Sequence, residues 1–491
     1  MIQNSTECYI GNRSDNKTKD VFGIDGADRR KHVYIVGKTG MGKTTLLTNM
    51  ILQDIYNGLG VCFIDPHGDS SEYILDRIPP HRHKDVVYFN PADTEFPVGL
   101  NILEAQRGEE SFLITSSLMA VFNKIWRGAW SSRMEYILSN TLLTLLENKG
   151  STLLGVVRLL TDEKYRKKIV SKVDDPLVKN FWTLEFNKFN DKYRTEAIAP
   201  ILNKVGQFFS NELIRNILGQ IDSTVDFRDI MDSGKILIAN LSKGKLGEEN
   251  SNLLGSLLIS KLEIATMSRV DIPEQSRQDF FLYIDEFQNF TTESFAGILS
   301  EARKYRLNLI LAHQYIAQLT ESGSMHVKNA IFGNVGTIIS FRVGADDAKE
   351  IAKEFGGSVT ANQLLNLDRG EIAIKLGTEH KILEPFLGHT LPPLFEQLKG
   401  QTELVVQSSR ELYSLSRSTV ADQIKDFFDT ALSVPAQNTN GQQASKRNQA
   451  KAVKLVEKMD VKKEKNEVDK FFGNLMELRG PSSTTKDISY E

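Results

Sequence analysis

The chain has 491 residues, 40% hydrophobic and 25% charged, with a formal net charge of −3. Such a length exceeds one ordinary domain and leaves room for a large core, and the composition excludes a fibrous or disordered chain. With 60 basic against 63 acidic residues, no global field draws the protein to nucleic acid, so any DNA contact is expected to be local.

Cys8 and Cys62 are too few for a disulfide framework and lack the paired spacing of a zinc site, which points to a reducing compartment. Met1 to Lys19 is polar, unlike a signal peptide, and no apolar run approaches the roughly 18 residues of a membrane helix. A cytoplasmic product is expected, with no transmembrane segment of its own and any residence at the inner face of a membrane made through partners.

In chain order, short apolar runs rich in β-branched residues occur at Val33 to Val36, Val61 to Ile64, Val86 to Phe89, Ile236 to Ala239, Phe280 to Ile284, Leu307 to Leu311, Thr337 to Phe341 and Ile372 to Leu376. They read as buried strands. Lys43 to Tyr56 carries Leu46, Leu47, Met50, Ile51 and Ile55 at helical spacing, and strand–helix alternation implies an α/β class with a mainly parallel sheet.

From 108 to 228 the pattern turns helical, as in Phe112, Leu113, Ile114, Leu118, Met119, Val121 and Phe122. This stretch reads as an all-α insertion that divides the α/β core into 29–107 and 229–395. Residues 1–28 read as an N-terminal extension and 396–434 as a C-terminal helical extension. Residues 435–491 read as a flexible linker and a charged, amphipathic tail, in which Phe471, Phe472, Leu475, Met476 and Leu478 share one helix face. That face suits a docked partner and a folded-back helix equally.

The run Val33–Val36 leads into Gly37-Lys38-Thr39-Gly40-Met41-Gly42-Lys43-Thr44, the spacing GxxxxGK[ST] between a strand and a helix. The glycines let the backbone curl so that successive amide hydrogens point inward, and the helix beginning near Lys43 adds its positive end. Polyphosphate is the natural ligand, with ATP and Mg²⁺ as the expected pair. Lys43 is expected to reach the β- and γ-phosphates and the Thr44 hydroxyl to ligate Mg²⁺, with Thr39 and Thr45 as further contacts of the loop.

Phe281–Ile284 ends in Asp285-Glu286, where Asp285 is placed to hold Mg²⁺ through its water shell and Glu286 to orient and deprotonate an attacking water. Taken alone, the pair also reads as the start of a turn. Far more chain separates Lys43 from Asp285 than two or three βαβ units of about 30 residues fill, and the all-α stretch accounts for the surplus.

Asp65 ends the strand after the phosphate-loop helix, at the edge where nucleotides bind in open α/β sheets; it either positions water or metal there or caps its own turn. Two segments offer local DNA contacts. Lys243 and Lys245 lie in the loop Ser242 to Gly247, and Lys124, Trp126, Arg127, Trp130 and Arg133 combine cations with indoles. A solvated turn and tryptophans of a helical core are the alternative readings. Neither segment carries sequence-reading side chains, so a non-sequence-specific grip is expected.

Together these residues resemble the conjugative coupling proteins, the TraD-like DNA-transfer ATPases of type IV secretion within the HerA and FtsK superfamily. The resemblance runs from about Arg29 to Pro393. It rests on VYIVGKTGMGKTTLL, FIDPHGD at Phe63 to Asp69, LYIDEFQNF at Leu282 to Phe290, SEARKYRLNLILAHQ at Ser300 to Gln314, and SFRVGADDA at Ser340 to Ala348.

The resemblance implies a RecA-like core interrupted by an all-α domain, a homo-oligomeric ring of hexameric type, and ATP hydrolysis that moves DNA through a central channel beside a membrane-channel partner. It further implies that Gln314 senses the γ-phosphate and that Arg303 reaches into the next subunit's ATP as an arginine finger, with Arg342 a second candidate. From its surroundings alone Arg303 reads as a solvated helix residue. Two features depart from the family pattern: no apolar anchor is present, and His313 stands where a small or hydroxyl residue is expected. The rival functions are a secretion or pilus-assembly ATPase that moves protein, and a nucleotide-gated assembly factor.

Overall fold

A computed structural model describes residues 7–14, 21–105, 110–292, 295–321, 325–378 and 380–429. Among the described residues eleven strands join one sheet: β1 Cys8–Arg13, β2 Val21–Ile24, β3 Val33–Val36, β4 Gly60–Asp65, β5 Val86–Phe89, β6 Ile236–Asn240, β7 Phe280–Ile284, β8 Leu307–His313, β9 Thr337–Ser340, β10 Glu371–Lys375 and β11 Phe386–Thr390. Their order is β2-β1-β11-β10-β9-β3-β8-β7-β4-β6-β5.

The seven strands β3 to β9 pair in parallel, as buried apolar runs joined by crossovers dictate. Each of the eight apolar runs of the sequence lies in this block or in β10, so the α/β class and the mainly parallel sheet hold. The other strands, β10, β11, β1 and β2, continue the sheet antiparallel. The stretch read as an N-terminal extension therefore supplies two strands, β1 and β2, that the apolar-run criterion passed over.

Side chains of the parallel strands alternate between two cores. Val33, Ile35, Val61, Phe63, Phe281 and Ile310 pack with Leu46, Leu47, Met50 and Ile51 of α2, residues Lys43–Tyr56. On the opposite face Val36, Cys62, Ile64, Leu282, Ile284 and Leu311 join a core that continues into the helical stretch.

Further helices frame the sheet: α1 Gly26–Arg29 before β3, α3 Asp69–Leu75 after β4, α4 Ser111–Ile125, α5 Glu248–Ser268, α6 Thr402–Tyr413 and α7 Arg417–Asp429. Between β5 and β6 the described residues contain helices and no strand. Their core is aromatic, with Phe181, Trp182 and Phe186 fully buried, and α4 packs along α5 of the α/β part.

Arg29 of α1 pairs with Asp54 of α2 at 2.8 Å with both side chains sealed from water, and Tyr283 of β7 donates to the same carboxylate at 2.5 Å. The Arg29 guanidinium also lies 4.1 Å over the Phe281 ring. Removing one partner of such a pair strands a buried charge. No helix of the described residues is long and apolar enough to cross a membrane, and the tail read at 435–491 lies outside the described residues.

Candidate nucleotide site

Strand register gathers the site. Val36 of β3 stands level with His313 of β8, Leu311 of β8 with Ile284 of β7, and Ile284 with Ile64 of β4. The residues that follow these ends, Gly37, Gln314, Asp285 and Asp65, share the carboxyl edge of the parallel sheet, where ligands of open α/β sheets bind.

The phosphate loop is shaped by its main chain. Gly40 and Gly42 adopt φ of 78° and 116°, a left-handed backbone that side-chain-bearing residues resist. At Gly37 a Cβ would stand 2.5 Å from Phe341 Cβ, so only glycine fits against the next strand. The loop is anchored from behind: Lys38 N donates to Arg342 O at 2.9 Å, Gly37 N to His313 O at 3.3 Å and Gly370 N to Met41 O at 2.9 Å.

Lys43 opens α2 and its Nζ donates back to Gly37 O at 2.5 Å and Lys38 O at 3.2 Å. Burial lowers the affinity of this amine for its proton, while Glu286 and Asp285 raise it. Thr39 and Thr44 are exposed and Thr45 is half-buried. No side chain caps the amide end of α2, which leaves those donors to a ligand.

Asp285 is buried, and its pKa is pushed up to about 6 by burial and by the neighbouring charges of Glu286 and Asp65. Its Oδ1 accepts from Glu286 N at 3.0 Å. Glu286 has φ 49°, a left-handed conformation costly for a non-glycine residue and typical of functional turns. Both of its carboxylate oxygens are held: Oε1 accepts from Gln314 Nε2 at 2.8 Å and Oε2 from Gln288 Nε2 at 2.7 Å.

Sequence reasoning named Gln314 and passed over Gln288, although it stands two residues after Glu286 on the same short turn, Phe287–Asn289. A crowd of carboxylates that raises the pKa of a buried member is the donor set a divalent cation relieves. The Thr44 hydroxyl and Asp285 fit that role.

Asp65 uses both oxygens locally. Oδ1 accepts from His67 N at 2.9 Å, and Oδ2 from Ser71 N at 2.8 Å and Ser71 Oγ at 3.0 Å. Of the two readings offered for it, the geometry realises the turn cap, with its charge felt at Asp285. His313 is fully buried, and burial pushes its ring down to about 3; its Nε2 meets Tyr34 Oη at 2.5 Å and its ring meets Phe287 edge-on.

Arg303 is exposed on the turn Ala302–Tyr305 before β8. Arg342 is half-buried, with Nη2 3.3 Å from Met41 Sδ, so it lies along the phosphate loop of its own chain.

The loop Ser242 to Gly247 forms one helical turn, Lys243–Leu246. Lys243 pairs with Glu248 at 2.9 Å and Lys245 approaches Glu72 at 3.5 Å. Trp126 is buried, stacked on Phe122 at 4.5 Å and Phe208 at 5.5 Å, so its ring presents no face to a base. Arg127 and Arg133 are exposed, the latter over the Tyr193 ring at 4.9 Å. Lys124, grouped with them in the sequence, turns inward to Asn289 O at 2.6 Å.

Comparison with known proteins agrees with this geometry. Residues 24–379 match the family described as the type IV secretion-system coupling protein DNA-binding domain. The type 4 coupling protein DotL of Legionella pneumophila is 22% identical over 370 residues, which is 62% of this chain and 46% of DotL. The chain thus spans less than half the length of that relative. An uncharacterized protein of Mycoplasma pneumoniae is 27% identical over 128 residues, 26% of this chain and 83% of its own length.

Among solved structures, the unbound bacterial conjugative coupling protein TrwB superposes with a TM-score of 0.55 at 16% identity, covering 80% of this chain and 95% of that one. VirB4 of Thermoanaerobacter pseudethanolicus superposes at 0.53 with 15% identity, covering 79% and 97%. At such identities the likeness is one of fold, and that fold is the RecA-like P-loop arrangement the resemblance implied. Matched from the end of β2 to beyond β10, the chain belongs to the family of type IV secretion-system coupling proteins.

Proposed function

We propose that the chain is an ATP-hydrolysing DNA translocase of the conjugative coupling type, acting as a homo-oligomeric, hexameric ring beside a membrane channel. The observation that carries this reading is the meeting of Lys43, Asp285, Glu286 and Gln314 at one sheet edge, with Gln314 bonded to Glu286. TrwB, which shares the fold, has been solved with a non-hydrolysable ATP analogue and with ADP and Mg²⁺. In this reading 108–228 is a helical domain set into an ATPase core of 29–107 and 229–395.

Lys43 exchanges the carbonyls of Gly37 and Lys38 for the β- and γ-phosphates of ATP, and the free amides of the loop and of α2 receive the remaining phosphate charge. Thr44 and Asp285 would hold Mg²⁺, which would neutralise phosphate charge. Glu286 accepts the proton of the attacking water, and Gln314, already on Glu286 Oε1, aligns that water with the γ-phosphate. Arg303, exposed on its turn, is the group available to a neighbouring site, while Arg342 serves the loop of its own chain.

The reading is tested by adding DNA to the oligomer at low salt. Single- or double-stranded DNA is expected to raise the rate of ATP hydrolysis, with little dependence on base sequence and a stimulation that fades as salt displaces phosphate contacts. A second reading, a secretion ATPase that moves protein, is favoured by one observation: Lys243 and Lys245 are already paired with carboxylates and Trp126 is buried. An oligomer that hydrolyses ATP yet neither binds DNA nor responds to it decides for that second reading.

A further inference from the structure

The turn that follows Glu286 is gripped from the helical side of the molecule. Asn289 O accepts from Lys124 Nζ, in the last turn of α4, at 2.6 Å. Phe290 O accepts from Ser256 Oγ of α5 at 3.0 Å. The Phe290 ring presses so closely on Gly255 that a Cβ there would stand 2.3 Å from it. At the other end of the same turn Asn289 N donates to Glu286 O at 3.0 Å, and Gln288 Nε2 donates to Glu286 Oε2 at 2.7 Å. An unbroken series of contacts therefore runs from α4 through Lys124, Asn289 and Gln288 to the carboxylate.

Lys124 is an unusual choice for a plain structural tie. Its side chain is half-buried, it bonds to a main-chain carbonyl and not to a carboxylate, and burial with the charge of Lys243 lowers its pKa to about 7. A half-buried charge with so little compensation is costly. It also responds to any shift of α4, because the ammonium must follow the helix or lose its partner.

We propose that Lys124 is a positioning residue that transmits movement of the helical stretch to Glu286, so that displacement of α4 sets the orientation of the hydrolytic carboxylate. The proposal rests on the reading of Glu286 as the base. The joint is spring-like: the strained φ of Glu286 is held by the same turn that Lys124 anchors, so loosening the anchor frees the residue to relax.

The full chain is compared with Lys124→Met, which keeps the apolar stem and removes the donor, and with Lys124→Arg, which restores one. Nucleotide affinity, read with a fluorescent ATP analogue, is expected to stay at the parent value in both. For Lys124→Met, kcat is expected to fall roughly tenfold, the kinetic equivalent of one lost charge-assisted bond, and to recover in Lys124→Arg. A parent-level kcat in Lys124→Met, or a loss that tracks nucleotide affinity and is not rescued by arginine, overturns the proposal.

If Lys124→Met does not fold, Ser256→Ala probes the same joint from α5, with lowered kcat at unchanged affinity expected and unchanged kcat overturning. Glu286→Gln measured in parallel separates the two layers. Parent-rate turnover in that variant removes the reading of the site, whereas its loss beside a fully active Lys124→Met removes the coupling alone.

Discussion

The phosphate loop and the carboxylate turn follow β3 and β7, with β8 between them, and are built by opposite means. The loop is a main-chain device: it turns on glycines at 37, 40 and 42, the amides of Gly37 and Lys38 donate to the carbonyls of His313 and Arg342, and its own Met41 carbonyl takes Gly370 N. The turn is a side-chain device, in which Glu286 is held by Gln288 and Gln314 while Lys124 and Ser256 brace it from two helices. Main chain offers a fixed cradle for a ligand of constant shape. Side chains drawn from separate elements offer adjustment, which suits a group whose alignment changes through a cycle.

The contrast breaks most visibly if binding and turnover fail to separate. Lys43→Ala is expected to abolish ATP binding, because Lys43 is the amine that reaches back over the loop carbonyls, whereas Lys38 is exposed. Glu286→Gln is expected to bind ATP as the parent does and to lose turnover by about 10²–10⁴-fold, the usual worth of a positioned general base. Equilibrium titration beside single-turnover hydrolysis reads both variants. Hydrolysis by Glu286→Gln at the parent rate ends the assignment of that carboxylate.

A smaller effect sharpens the picture of the turn. Gln288→Ala removes one of the two amides on Glu286 and leaves the phosphate loop untouched. Its kcat is expected to drop by several-fold up to roughly tenfold, with KM for ATP unchanged, as the loss of one hydrogen bond to a charged group predicts. A rise in KM with constant kcat instead assigns Gln288 to nucleotide binding and dissolves the distinction.

The smallest effect concerns His313, where the two devices touch: its carbonyl takes Gly37 N and its ring meets Phe287. Burial pushes His313 down to about 3 and His32 down to about 4, so both stay neutral in the fold. Unfolded histidine titrates near 6.5, so below that pH the unfolded chain takes up protons first. Stability is then lost as pH falls, by at most about 1.4 kcal/mol per pH unit for each residue.

Asp285, pushed up to about 6, works in the opposite sense, because the folded form keeps its proton to higher pH than the unfolded one. His313→Asn is expected to flatten the fall of Tm between pH 6.5 and 4. Parallel Tm profiles for variant and parent would show that the ring is not neutral in the fold.

What the sequence made legible follows the same division. Contiguous signals were readable: the eight apolar runs, the glycine spacing, and Asp285-Glu286 at the end of β7. Strands β1, β2 and β11 were not: CYIGNR and FLGHT mix glycine with polar residues and pair with each other from opposite ends of the chain, and the four residues VFGI are a strand only as the edge partner of β1. Lys124 was legible as a cation beside tryptophans, but not as the brace of Asn289, 165 positions away. No local pattern encodes that meeting, since the packing of α4 on α5 creates it.

The sealed trio of Arg29, Asp54 and Tyr283 constrains the history open to this protein as much as its shape. Its members come from α1, α2 and β7, so they tie the helix behind the phosphate loop to the strand that carries Asp285. Losing Arg29 or Asp54 alone leaves an unmatched ion in the dry interior at about 3–5 kcal/mol, a large part of the whole stability of an average domain, while an apolar replacement of the set is tolerated. Descendants that abandon the trio must therefore change its members nearly together or cross a valley of unstable intermediates. Single-step drift is confined to the outer surfaces of the site.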